Sequence, residues 1–385
     1  MSNPRPVEKK IFILAGEDSG DLIGGRLMKA MRQITPPTVT LKFIGIGGET
    51  MTAQGLQSQF PMKELSHFGF FAIFPHLPKL YRRLKETVAR IKAEQPDLVI
   101  TIDAPAFCLR VSARLSSSKI LRIHYVAPQH WAWLPHRARA LRHETDLLLA
   151  LLPFEPSFFA DYGVRCKFVG HPVVESRAAA QTPVSAEGFR HRHQIERAVP
   201  LLTVLPGSRT SEFMRHMPIF AAVIRLLFAQ IPDLRVVLAI TARHLQEGLH
   251  ERLLESLTAD FDQRLEIIAA DNGEHEDERF AAFAASDAAL AVSGTVTLEL
   301  ALTHTPAVVA YRLDRLRWWL AERLIRVPRG ALSNIVGGRE IVPELLQDRA
   351  SPDRIAQQLI PLLLHQASYI EQKHYLVEVA ERLTT

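Results

Sequence analysis

The sequence is short of everything that staples or anchors a chain. Its 385 residues hold two cysteines, Cys108 and Cys166. Two thiols so far apart make neither a disulfide framework nor a paired-cysteine metal cluster, and they suit a reducing compartment, so a cytoplasmic location is expected. Long apolar runs are missing too. A spanning helix needs about 18 uncharged apolar residues, and Asp, Glu or Arg interrupts every candidate. The first apolar run, IFILAG at 11–16, is shorter than the apolar part of an export signal and meets Glu17 and Asp18 at once, so it reads as a first strand. Low-complexity tracts and repeats at solenoid spacing are also absent. The expectation is a protein that is soluble or lies at most on a membrane surface.

What is there fits a well-packed globular protein: 47% hydrophobic, 8% aromatic and 23% charged residues. Disorder, collagen and coiled coil are excluded. The 46 Lys and Arg against 41 Asp and Glu leave a formal charge of +5. That balance suits a polyanion, an anionic membrane or a phosphorylated substrate and alone decides nothing; no nucleic-acid partner is expected. The length favours two domains.

Short apolar runs recur at 11–14, 41–46, 98–102, 120–126 and 147–152, and again at 201–205, 235–240, 265–268, 288–292 and 307–311. Runs of this length without polar alternation read as strands buried on both faces. Helical stripes lie between them, such as Ile23, Leu27, Ala30 and Met31, or Phe213, Met217, Phe220, Ile224 and Leu227. The alternation predicts an α/β protein of two Rossmann-like, doubly wound domains facing a cleft. The alternation falters only over a polar stretch at 173–200. The expected organisation is a first domain at 8–172, a linker at 173–200, a second domain at 201–350 and terminal helices at 351–385. Ile355, Leu359, Leu362 and Leu363 share one helical face, which needs a cover from the first domain or from a second copy in a homodimer.

The chemistry-bearing residues sit where these strands end, which is where open α/β sheets bind ligands. After the first strand come Gly16, Glu17, Asp18, Ser19, Gly20 and Asp21. Glycines there permit close approach to a ligand and Ser19 or Asp21 can cap the next helix, but three carboxylates would repel a pyrophosphate. A loop gripping sugar hydroxyls is the better reading. Asp103 ends the run 98–102 and is a candidate general base. The segment 124–133 carries Gln129, His130, Trp131 and Trp133, and its tryptophans suit stacking on a sugar or lining an acyl pocket. In the second half, Gly207, Ser208 and Arg209 lie between a strand and a long helix, a pattern suited to phosphate. Ser293, Gly294, Thr295 and Glu299 pair a helix start for a pyrophosphate with a carboxylate for a ribose diol. His191 and His193 in the linker are read as solvated, and no metal site is expected.

Taken in order, GEDSGD at 16–21, TIDAPAF at 101–107, HYVAPQHWAW at 124–133, LLPFE at 151–155, VGHP at 169–172, LPGSR at 205–209, SGTVTLE at 293–299 and SNIVGGREIVPELLQ at 333–347 resemble the landmarks of one family. The resemblance is to the lipid-A-disaccharide synthases, glycosyltransferases of the GT-B type. It implies transfer of a diacylated glucosamine from a UDP-activated acylated sugar to an acylated sugar 1-phosphate, with inversion and without metal or cofactor. It implies Asp103 as the base, and Gly207, Ser208, Arg209, Ser293, Gly294, Thr295, Glu299 and Asn334 at the nucleotide. It places Glu17, Ser19, Gln129 and Trp131 at the sugar or acceptor. Phe70, Phe71, Ile73, Phe74, Leu77 and Leu80, followed by Arg82 and Arg83, then read as a patch for the inner leaflet of the inner membrane.

Overall fold

A computed structural model describes residues 7–65, 77–179, 186–241, 244, 257, 261–269, 276–324 and 327–384. It divides into two units, Met1–Gly170 and His171–Thr385.

The first unit is built on β1 (Val7–Ala15), β2 (Val39–Ile46), β3 (Leu98–Ile102), β4 (Leu121–Tyr125), β5 (Leu147–Ala150) and β6 (Cys166–Phe168). All neighbours are parallel, in the order β2-β1-β3-β4-β5-β6. β1 shows how burial follows sequence: Val7, Glu8 and Lys9 are exposed, whereas Ile11 to Ala15 are buried. From β1 the chain turns outward to β2 and then crosses back to β3 on the other side. That reversal opens a crevice at the carboxyl ends of β1 and β3.

The second unit repeats the scheme with β7 (Leu201–Leu205), β8 (Arg235–Ile240), β9 (Leu265–Ala269), β10 (Ala288–Ala291), β11 (Ala307–Tyr311) and β12 (Glu344–Leu346). Its order is β12-β11-β10-β7-β8-β9, again all parallel, so its reversal lies between β7 and β10. The expected stripe is real: Phe213, Met217, Phe220, Ile224 and Leu227 of the helix Thr210–Gln230 are fully buried against the sheet. Among the described residues no helix is long and apolar enough to cross a membrane.

Three expectations change. β6 and β12 have three residues each, too short to register as apolar runs. The stretch 173–200 is not a free linker. Its helices Pro172–Ala179 and Ala186–Arg192 pack on the helix Glu276–Ala285 of the second unit, and its polar side chains find partners there. Arg190 pairs with Asp287 at 3.0 Å, and His193 sets one ring nitrogen on Glu266 and the other on Glu278. The terminal helices Pro352–Leu363 and Ala367–Leu383 also belong to the second unit. Ile355, Leu359, Leu362 and Leu363 enter its core beside the helix Thr210–Gln230, and Gln372 accepts the Ala307 N–H at 2.9 Å where β11 begins. Their apolar face is covered by their own sheet, which removes the need for the first domain or a second copy.

Candidate active site

In the first unit, the loops leaving β1 and β3 touch. A Cβ placed on Gly16 would lie 2.5 Å from the Cβ of Ala104, so only glycine allows this approach. Asp103 and Ala104 are both left-handed, with φ of 52° and 42°, and Val126 past the end of β4 has φ 74°. Each costs about 1–2 kcal/mol in a non-glycine residue, and such strain collects at functional sites. The Asp103 N–H donates to the Tyr125 carbonyl at 2.9 Å, and Ser19 Oγ donates to Asp103 Oδ2 at 3.3 Å. Asp103 is half-buried while Glu17, Asp18 and Ser19 are exposed. Burial pushes the Cys108 thiol well up, and the charges of Asp103 and Glu17 both add to the rise. The structure thus brings Glu17, Ser19 and Asp103 to one place.

The loop after β4 divides its roles differently from the sequence reading. Gln129 is exposed, but Trp131 is buried. Its Nε1–H donates to Glu155 Oε1 at 3.0 Å, and its ring meets Phe154 edge-on at 5.1 Å. So held and buried, the indole is not displayed at the surface. Glu155 also accepts the Leu152 N–H at 2.9 Å, and burial pushes its carboxyl up to about 7. His124 shares 2.8 Å with Thr101 Oγ1 and is driven by burial down to about 3. Burial likewise takes His130 to about 4. Both imidazoles are therefore neutral near pH 7.

Asp21 does not cap its own helix. It accepts the N–H groups of Gly48, Thr50 and Met51 at 2.7, 2.8 and 3.1 Å and so holds the turn after β2. The partner donors lie nearly thirty residues away, and no local pattern announces them.

In the second unit, the carboxyl ends of β7 and β10 are held side by side by the Val292 N–H bonding to the Leu205 carbonyl at 3.1 Å. Gly207 has φ 110°, and a Cβ there would sit 2.7 Å from Glu212 Cβ. Ser208, Arg209 and Thr295 are exposed. The Arg209 side chain is 80% exposed and held only loosely, 3.4 Å from Glu212, at the start of the helix Thr210–Gln230. Ser293 Oγ donates to the Gly330 carbonyl at 2.8 Å, tying the turn at Gly294 to a third loop. Glu299 already has one oxygen 3.0 Å from Arg279.

Asn334 is fully buried. Its amide nitrogen donates to the Val342 carbonyl and to Glu344 at 2.8 and 2.7 Å, and its oxygen accepts the N–H groups of Ile341 and Val342 at 2.7 and 2.9 Å. Its hydrogen-bonding capacity is filled, so it braces the loop instead of meeting a nucleotide. Glu344, overlooked in the sequence, completes that brace by accepting Gly330 N–H at 2.6 Å and Ala331 N–H at 3.1 Å.

The two crevices thus differ in charge: carboxylates at one, an exposed cation at the start of a long helix at the other. A family model described as lipid-A-disaccharide synthetase matches residues 11–384. The lipid-A-disaccharide synthase of Rhodospirillum centenum is 45% identical over 375 residues, covering 97% of this chain and 90% of its own. The chain belongs to the lipid-A-disaccharide synthase family. It is accordingly a glycosyltransferase of lipid A biosynthesis. Its fold is shared with a UDP-GlcNAc 2-epimerase from Neisseria meningitidis solved with UDP-GlcNAc, at TM-score 0.61 and 10% identity over 98% of this chain and 97% of that one. A glycosyltransferase from Rickettsia africae matches at TM-score 0.56 and 13% identity over 98% and 96%. Both α/β units are therefore of the GT-B type.

The apolar patch expected from the sequence is only partly placed. Phe70, Phe71, Ile73 and Phe74 lie outside the described residues. Leu77 is exposed, Leu80 packs on the core of the first unit, and Arg82 is 63% exposed. Arg83 is engaged: it bonds Glu64 at 2.8 Å and Glu86 at 2.7 Å and lies over Phe60.

Proposed function

We propose that the enzyme moves 2,3-diacylglucosamine from its UDP derivative to the 6-hydroxyl of 2,3-diacylglucosamine 1-phosphate, with inversion, giving a β-1,6 disaccharide 1-phosphate and UDP. The observation that carries this reading is Asp103 at the first crevice, with one carboxylate oxygen held by Ser19 at 3.3 Å. As the acceptor oxygen attacks the anomeric carbon, Asp103 takes the hydroxyl proton. The bond to UDP breaks, and its electron pair stays on the diphosphate. A single displacement needs one base, and a diphosphate leaving group needs charge neutralisation more than an acid. Arg209 and the N–H groups opening the helix Thr210–Gln230 supply that neutralisation. Glu17 and Gln129 serve the sugars.

Both substrates carry acyl chains, so the enzyme works at the inner leaflet from the cytoplasmic side. Phe70, Phe71, Ile73, Phe74 and Leu77 provide the apolar contact there, and Arg82 the attraction to anionic lipid. Incubating the purified protein with the two diacylated substrates should release UDP and a disaccharide visible by mass spectrometry. Release of a 2-epimer, or of UDP without a disaccharide, would refute the reaction.

A further inference from the structure

The segment Leu151-Leu152-Pro153-Phe154-Glu155 stood out in the sequence without acquiring a role. In the structure two of its consecutive residues address one side chain. Phe154 and Trp131 meet at a near right angle with ring centroids 5.1 Å apart, and Glu155 Oε1 receives the indole N–H at 3.0 Å. The other carboxylate oxygen takes the Leu152 N–H at 2.9 Å, three residues back in the chain. One oxygen does this local work. The other goes to a loop 24 residues earlier in the chain.

That loop is the one that leaves β4. It begins with Val126 in its left-handed conformation, turns through the Ala132 N–H bonding to the Gln129 carbonyl at 3.1 Å, and leaves Gln129 exposed. Ala127 and Trp131, on either side of Gln129, are both buried. Ala127 is held by packing in an apolar cluster with Leu148 and Phe159. Trp131 is held by Glu155 and Phe154. A carboxyl 2% exposed is an expensive way to anchor an indole, since burial without a counter-charge disfavours the carboxylate. It does, however, offer two acceptor oxygens, one for the indole N–H and one for the Leu152 N–H.

We propose that Glu155 is a positioning residue for the acceptor, acting through Trp131 to hold the loop that presents Gln129. This rests on the reading above that the first unit binds the acceptor. Trp131, expected to touch sugar, becomes the peg, and Gln129 the group that the peg places.

Steady-state kinetics with separate titration of UDP tests this. Glu155→Gln keeps the shape but turns an amide N–H toward one of the two donors. Trp131→Phe keeps a ring near Phe154 and loses only the indole N–H and its second ring. Each should raise the acceptor KM by roughly tenfold to a hundredfold, the scale of a small misplacement, while UDP affinity stays within twofold of wild type. In the double variant the two losses should not add. Should Glu155→Gln fail to fold, Trp131→Phe decides alone. Asp103→Asn is run beside them. If Asp103→Asn loses turnover while both other variants keep the wild-type acceptor KM, the positioning role is overturned and the acceptor reading survives. If UDP affinity falls as much as the acceptor KM rises, the damage is general and the positioning role is again overturned. If Asp103→Asn itself turns over normally, both readings fall together.

Discussion

The two crevices are the same piece of topology with opposite chemistry. In each unit the first strand of the sheet sits beside a strand reached by crossing back, β1 beside β3 and β7 beside β10. In each a glycine permits a close approach, Gly16 to Ala104 of the other loop and Gly207 to Glu212 in the helix that follows it. At the first crevice the groups on offer are Glu17, Asp18, Ser19 and Asp103. At the second they are Ser208 and Arg209, at the start of a helix of 21 residues. The backbone decides where a ligand can sit, and a few side chains decide its charge. Carboxylates suit a neutral hydroxyl that must lose a proton; the cation suits a diphosphate that must gain charge.

Perturbing each crevice should therefore change different observables. The largest effect expected is behind the first one. Glu155 has a folded pKa of about 7 against an ordinary 4.5. Below about 4.5 it is protonated whether folded or not, and between the two values only the folded protein keeps the proton. Stability from this residue is thus fully present at low pH and is lost as pH rises towards 7 and beyond, by on the order of 3 kcal/mol. Denaturant titrations of wild type and Glu155→Gln across that window should diverge by this slope, and parallel curves would contradict it.

Next, Gly16→Ala should cut turnover by roughly 100-fold by driving the β1 and β3 loops apart, with UDP affinity unchanged. Adding Ala104→Gly removes the opposing methyl and relieves a left-handed alanine, so the pair should recover most of the activity; failure to recover would mean the loops do not meet as described. Gly207→Ala is the mirror experiment. With φ 110° and Glu212 Cβ at 2.7 Å, it should weaken UDP by about 1–3 kcal/mol in a calorimetric titration and leave the acceptor KM alone. The smallest effect is at the membrane. Arg82→Ala should lower affinity for anionic vesicles by about 1 kcal/mol without changing the melting temperature. Arg83→Ala should lower the melting temperature instead, because Arg83 binds Glu64 and Glu86.

What could be read from the sequence follows the same physics. Parallel strands buried on both faces leave uninterrupted apolar runs, so the strands of both sheets other than β6 and β12, and the loops at their ends, were legible. The ends themselves carry glycine, Asp and Arg in short patterns, which singled out Asp103 and Arg209 as candidates. Illegible were the partners of buried polar groups, because these come from distant parts of the chain. Asn334 looks like a ligand-binding amide until Ile341, Val342 and Glu344 are seen to fill it. Trp131 looks like a sugar platform until Glu155 is seen to hold it. The polar stretch 173–200 looks like a tether because the acids that satisfy Arg190 and His193 lie more than seventy residues further on. β6 and β12 were too short to leave any pattern.

The division of labour is tested most directly by measuring turnover and UDP affinity side by side in Asp103→Asn and Arg209→Ala. Asp103→Asn should lose about 10²–10⁴ in turnover with UDP binding as in wild type. Arg209→Ala should weaken UDP by about 1.5–3 kcal/mol. Near-normal turnover in Asp103→Asn, or unchanged UDP affinity in Arg209→Ala, would contradict the assignment of base and anion site to the two crevices.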